Sequence, residues 1–72
     1  MRVNIDAVNN LIITEFRNNR SFFAEKIGVN REYLSAILNG KIASSSPKVC
    51  SSIISFCKIN GLNYENYIIL YN

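Results

Sequence analysis

The fold of this chain is predicted mainly from residues 20–39, RSFFAEKIGVNREYLSAILN. Its apolar residues recur at helical spacing on both sides of a glycine, the residue type that most readily adopts the left-handed conformation that ends a helix. Asn30 can cap the helix that follows. The stretch therefore predicts helices over 20–27 and 31–38, joined by a tight turn. The core of this unit is expected to consist of Phe23, Ala24, Ile27, Gly28, Val29, Leu34 and Ile37.

This spacing is typical of a helix-turn-helix, in which the second helix offers its outer face to the DNA major groove. Ala24 is small enough to let the second helix approach closely, and Leu34 and Ile37 lie at i, i+3 on that helix. A glycine between two helices also occurs in ordinary helical hairpins. It is the joint spacing, and not any one residue, that favours the helix-turn-helix.

Two longer amphipathic segments flank this unit. Residues 4–17 predict a first helix, with Asn4 as its N-cap and an apolar stripe along one face. Residues 47–59 predict a further helix that starts after the cap Ser46, because proline is favourable at the first helical position. The inward residues are expected to be Ile5, Val8, Leu11, Ile12, Ile13 and Phe16 on the first helix, and Val49, Cys50, Ile53, Ile54, Phe56 and Cys57 on the later one.

The C-terminal part predicts a short fifth helix capped by Asn63, with Tyr64, Tyr67 and Ile68 on its apolar side. Residues 68–71 are too apolar to stay fully in water, so they either complete the core or contact a second copy of the chain. The expected fold is all-α: a compact bundle of four to five helices. We expect a single domain over residues 1–72, with room for only a small core.

Composition favours a folded globule, since nearly half of the 72 residues are hydrophobic. The net charge of +3 is compatible with a polyanionic partner but does not require one. No apolar run is long enough to cross a bilayer and no signal segment is visible, so we expect a cytoplasmic protein without membrane association. Cys50 and Cys57 are expected to be reduced core thiols, because seven residues of helix separate them by about 10 Å.

The sequence offers no group of residues suited to catalysis. It contains no histidine, so it lacks both the usual imidazole base and a conventional metal cluster. The five acidic residues are scattered over separate predicted elements, and no glycine-rich phosphate loop is present. We therefore expect a protein that is not an enzyme and has no cofactor, metal or small-molecule ligand.

The segments FAEKIGVNREYLSAILNGK (23–41) and, more loosely, SPKVCSSIISFCKINGLNYENY (46–67) resemble the Cro and phage-repressor (XRE-type) helix-turn-helix family. The resemblance implies a bundle of four to five helices that binds double-stranded operator DNA, usually as a homodimer. It also implies a repressor or autoregulator of the kind found in phages and mobile elements. Two features depart from the family: Arg20 stands where Gln is frequent, and the loop through 43–46 is longer than usual.

The outer face of the second helix of the motif carries the expected base contacts. Arg31 can make a bidentate contact to guanine, and Glu32 can accept from the amino group of cytosine. Ser35 can donate or accept, and Ala36 can pack on a thymine methyl group. Alternatively, Arg31 and Glu32 form an ordinary solvated helix start, where Glu32 interacts favourably with the helix dipole.

Contacts to phosphates would position the protein on the duplex. By the resemblance, Arg20 and Asn39 match the positions that hold the backbone on either side of the groove. Lys41 is a plausible addition, and Tyr33 lies either at the groove wall or against the preceding helix. Lys48 is a further candidate for a phosphate contact, and it is equally compatible with an ordinary surface charge.

A second functional hypothesis stays open. On the same fold, the Tyr- and Ile-rich C-terminus, with Tyr64, Tyr67, Ile69 and Tyr71, could bind another protein, as an antirepressor or an inhibitor of a host protein does. An RNA-binding module has less support, because no aromatic stacking platform is evident.

Overall fold

Four α-helices and one short antiparallel sheet make up residues 1–70, which the computed structural model describes. In chain order the elements are β1 (Arg2–Val3), α1 (Ile5–Glu15), α2 (Arg20–Ile27), α3 (Arg31–Leu38), α4 (Pro47–Ile59), one 3₁₀ turn (Tyr64–Asn66) and β2 (Ile68–Ile69). The bounds predicted for α2, α3 and α4 are confirmed.

Each helical segment starts at a polar side chain that accepts a hydrogen bond from the first-turn backbone, which satisfies donors that have no partner within the helix. The strongest of these caps is Asn30, whose Oδ1 accepts from the N–H groups of Glu32 (2.8 Å) and Tyr33 (3.1 Å). Among residues 1–70, the caps are Asn4, Asn19, Asn30, Ser46 and Asn63.

Helix α1 ends at Glu15, two residues earlier than predicted. Arg17 and Asn18 follow with φ of +53° and +59°, so two consecutive non-glycine residues adopt the left-handed conformation. The N–H of Asn18 donates to the carbonyl of Ile12 at 2.9 Å. This bond satisfies a carbonyl of the last turn while turning the chain sharply toward α2.

The turn between α2 and α3 depends on Gly28, whose φ is +76°. Its N–H donates to the backbone carbonyl of Glu25 at 3.2 Å, and the N–H of Val29 donates to the backbone carbonyl of Ala24 at 3.0 Å. A Cβ added at Gly28 would meet no atom within 4 Å. The requirement for glycine here is therefore conformational rather than steric.

The buried side chains form one hydrophobic cluster shared by all four helices and both strands. Of the predicted core of the α2–α3 unit, five residues are buried, Val29 is half-buried against the cluster, and Gly28 is exposed. Ile54 and Phe56, which were expected to point inward, are half-buried. The residues below 9% exposure are Val3, Val8, Leu11, Ile12, Phe23, Ala24, Ile27, Leu34, Ile37, Leu38, Val49, Cys50, Ile53, Cys57 and Ile68.

Ile13 was wrongly expected to face the core, since 54% of it is exposed. The neighbouring residues Leu11 and Ile12 are both buried. Successive helical residues point about 100° apart, so Leu11 and Ile13 lie on opposite flanks of the stripe centred on Ile12. Only the Leu11 flank is covered by the rest of the fold.

The C-terminal region differs most from the prediction. The expected fifth helix is a single 3₁₀ turn, and β2 after it pairs with β1 in the register Arg2↔Ile69 and Val3↔Ile68. The fold is thus mostly helical but not purely α. Two-residue strands are too short to show alternating hydrophobicity, so the sequence pattern gave no sign of them.

Of the apolar C-terminal residues, Ile68 is buried, Ile69 is half-buried and Leu70 is 43% exposed. Tyr71, which the sequence analysis included in this group, lies outside the described residues. Within residues 1–70, no helix has the length and hydrophobicity needed to cross a membrane.

Cys50 and Cys57 are free thiols with no exposed surface, as predicted from their spacing on α4. Burial raises the pKa of both thiols above the ordinary cysteine value, although the N-terminal amino group slightly opposes this for Cys50. A raised pKa means that the folded state favours the neutral thiol.

We expect neither thiol of the native protein to react with Ellman's reagent at about pH 8, and both to react in urea.

Above about pH 8.5 the thiols of the unfolded chain ionise before those of the folded chain, so the stability they contribute is lost as the pH rises. The difference in unfolding free energy between the wild type and a Cys50→Ala/Cys57→Ala variant should therefore narrow from about pH 8 to about pH 10. A difference in unfolding free energy that stays constant over this pH range would contradict the link between thiol ionisation and stability.

Replacing Asn30 by Ala should lower the free energy of unfolding by about 1 kcal/mol, because two first-turn N–H groups of α3 lose their acceptor. Asn30→Ser should lower the free energy of unfolding by only about a few tenths of a kcal/mol, since serine also caps helices. Urea denaturation measures both. Exposed Asn10, inside α1, provides the control: Asn10→Ala should not destabilise. Equal stability of wild type and Asn30→Ala would exclude a role for the cap.

Candidate nucleic-acid interface

The outer face of α3 forms one shallow depression of about 240 Å³. Arg31, Glu32, Asn39 and Lys41 are exposed, whereas Ser35 and Ala36 are half-buried. All four predicted base-contacting residues therefore line the same surface, together with two of the residues predicted to contact phosphates. The residues lining the depression are Arg31, Glu32, Ser35, Ala36, Asn39 and Lys41.

This arrangement follows from the period of α3. Leu34, Ile37 and Leu38 are buried in the core, so the positions on the far side of the helix must face outward. After the helix, Gly40 adopts a φ of +77°, and the N–H of Lys41 donates to the carbonyl of Ala36 at 2.9 Å. The turn thereby returns the chain to the rim of the depression.

Tyr33 and Lys48 do not line this depression. Tyr33 is 36% exposed on the flank of α3, and Lys48 is exposed in the first turn of α4.

A second, basic hollow of about 630 Å³ lies at the start of α2. Three guanidinium-bearing residues, Arg17, Arg20 and Arg31, line it, and no acidic residue does. The helix dipole of α2 adds further positive potential at this end. Arg31 lines both the hollow and the α3 depression, so the two surfaces are adjacent. The residues lining the hollow are Arg17, Asn18, Asn19, Arg20, Ser21 and Arg31.

Sequence reasoning missed Arg17 as a member of this site. The only local indication that Arg17 could join the site was its position three residues before Arg20. The left-handed backbone at Arg17 and Asn18, which turns the chain from α1 to α2, could not be read from residue types alone.

Arg20 joins three helices through its side chain. Its Nη1 donates to Ser35 Oγ and to Asn39 Oδ1, each at 3.0 Å, and its Nη2 donates to Asn9 Oδ1 at 3.3 Å. Arg20 and Asn39 were expected to contact phosphates, and Ser35 was expected to contact a base. The structure shows that Ser35 and Asn39 each accept a hydrogen bond from Arg20.

Asn9 was missed by the sequence analysis, and no motif or periodicity could have indicated it. It is half-buried on α1, eleven residues before Arg20. The bond between them links elements that come together only in the folded chain.

The C-terminal surface considered for protein binding offers few aromatic groups. Tyr64 and Tyr67 are half-buried and pack against the core. A groove of about 580 Å³ lies elsewhere, between α2 and α4, with Lys26 and Phe56 on its walls and Ile59, which is 83% exposed, at its rim.

In comparisons with protein-family models, curated proteins and solved structures, no match to this chain is found.

Arg17→Gly should raise the free energy of unfolding by up to about 1 kcal/mol, because glycine adopts the left-handed conformation without the steric cost that a Cβ adds. Arg17→Ala is the matched control: it also removes the guanidinium but keeps the Cβ, and should give no such gain. Thermal or urea unfolding measures both variants. Equal stability of the two would mean that the left-handed backbone at this position stores no strain.

Proposed function

We propose that this protein is a sequence-specific DNA-binding transcriptional regulator, of the repressor or autoregulator type found in phages and mobile elements. In this proposal α2, the Gly28 turn and α3 act as a helix-turn-helix, and α3 enters the major groove of operator DNA. The observation that carries the proposal is the adjacency of two surfaces: the polar outer face of α3 and the basic hollow at the start of α2, which share Arg31.

The dimensions of α3 suit the groove. An α-helix with its side chains is about 10–12 Å in diameter, and the major groove of B-DNA is about 12 Å wide. The eight residues of α3 extend about 12 Å along the helix axis. Arg31 and Glu32 stand exposed in the first turn of α3. This is the end from which helices of this motif contact base edges.

The basic hollow suits the sugar–phosphate backbone beside the groove. Phosphates attract guanidinium groups and helix N-termini, and such contacts fix the register of a protein on the duplex without specifying sequence. Lys41, at the opposite end of α3, is available for a phosphate on the other side of the groove.

A homodimer on a two-half-site operator is compatible with the size of the protein. The longest dimension is 30 Å, and half-sites that face the same side of B-DNA are about 34 Å apart. Two copies can therefore lie side by side on adjacent turns of one duplex.

The test is selection of duplexes from a randomised DNA library, followed by affinity measurements across a salt series. We expect a consensus sequence, and we expect Arg31→Ala to lose about 1–3 kcal/mol of discrimination at one base pair. Lys26→Ala, which removes an equal charge from the groove between α2 and α4, should leave discrimination intact.

Enrichment of no sequence, together with equal and salt-sensitive binding to all duplexes, would refute a sequence-specific function. A loss of discrimination in Lys26→Ala equal to that in Arg31→Ala would refute the proposed role of the α3 face.

A further inference from the structure

The bonds of Arg20 impose a direction on the hydrogen bonds of its neighbours. A guanidinium group has only donors, so every partner of Arg20 must use an acceptor toward it. Ser35 uses its Oγ and Asn39 its Oδ1, both toward Nη1 of Arg20. Both partners also line the α3 depression.

Ser35 is thereby biased toward donation. Its hydroxyl has one proton and two lone pairs, and Arg20 occupies one of the lone pairs. The positive guanidinium weakens the remaining lone pair as an acceptor and strengthens the O–H as a donor. Among residues 1–70, the hydroxyl of Ser35 has no acceptor, so its proton is available to a ligand.

The bond to Arg20 also fixes the orientation of the Asn39 side-chain amide. Its Oδ1 points toward Arg20, so the two N–H groups of its amide must point away. Asn39 is exposed, and its amide makes no other side-chain bond within the part of the chain that the structure describes. Two donors are therefore offered at the edge of the depression.

Asn9 holds the guanidinium from the other side. Its Oδ1 accepts from Nη2 of Arg20, and both residues are half-buried. Three of the five N–H donors of the guanidinium are thus bonded to one residue of α1, one residue of α3 and the residue that follows α3.

We propose that Arg20 is a specificity-determining positioning residue, which makes Ser35 and Asn39 present hydrogen-bond donors to DNA. The inference rests on the proposed function and deepens it. At the base beside Ser35, the protein takes an edge that carries an acceptor: the O6 or N7 of guanine, the N7 of adenine or the O4 of thymine. Cytosine is disfavoured there, because it presents only its amino donor in the major groove. Asn39 donates to a phosphate oxygen.

This inference differs in a measurable way from a direct contact of Arg20 to phosphate. A phosphate contact would contribute about 0.9 to the slope of log affinity against log salt, and its loss would weaken all sequences equally. A positioning role changes the discrimination between bases, which the loss of a phosphate contact alone does not.

The experiment uses the selected duplex with each of the four bases placed at every position in turn. The wild type should bind about fivefold less tightly when cytosine lies beside Ser35, which is the effect of about one hydrogen bond. Arg20→Met, which keeps the apolar stem, and Ser35→Ala should each reduce this penalty to less than twofold. The double variant should show no further change. Arg20→Lys introduces another side chain with donors only, so this variant should keep most of the wild-type penalty against cytosine.

Should Arg20→Met fail to fold by circular dichroism, Arg20→Gln serves instead. Its amide can accept as well as donate, so Ser35 would no longer be biased and the penalty against cytosine should fall. An unchanged penalty against cytosine in the variant that folds would overturn the inference and leave the proposed function standing. If all duplexes are then weakened uniformly and the salt slope is smaller in magnitude by about 0.9, Arg20 contacts a phosphate instead. A wild type with no sequence preference would overturn both.

Discussion

The packing of Phe23 is the constraint on which the other elements depend. Its side chain has no exposed surface, and its ring lies edge-to-face against Phe16, at 5.1 Å, and against Phe56, at 5.6 Å. These rings belong to the end of α1, to α2 and to α4, so three parts of the chain meet at one aromatic cluster. Aromatic side chains are rigid and prefer a few relative orientations. The cluster therefore fixes the position of α2 against the rest of the core.

The position of α3 then follows from the two ends of α2. At the C-terminal end, the left-handed Gly28 turns the chain directly into α3. At the N-terminal end of α2, Arg20 donates hydrogen bonds to Ser35, near the middle of α3, and to Asn39, which follows the last residue of α3. The buried face of Leu34 and Ile37 fills the space between these attachments. Helix α3 is held along its whole length, which a surface that discriminates between bases requires, because misplacement by about 1 Å weakens directional contacts.

Local features of the sequence were predictable and long-range ones were not. The starts of the helices could be placed because Asn19, Asn30 and Ser46 act on N–H groups only two or three residues away. Likewise, the helical period alone assigned the outer face of α3. The pairing of β1 with β2 joins opposite ends of the chain, and the Arg20 bonds join residues 11 to 19 positions apart. No periodic pattern records such contacts. The exposure of Ile13 also depended on which flank of α1 the remaining elements cover.

The distribution of charge matters more for this protein than its net value. Of the eight basic residues, three line the hollow at the start of α2, and the other five are matched in number by the five acidic residues. The oxygens that bind the Arg20 guanidinium are uncharged, so they satisfy its hydrogen bonds without cancelling its charge. Arg20 therefore adds to the positive potential of the hollow even though three of its five N–H groups are bonded within the protein. Arg17 and Arg31, which line the same hollow, are both exposed. In a chain with a mild net charge, three of the basic residues are thus gathered at one surface beside α3, where they raise the local potential.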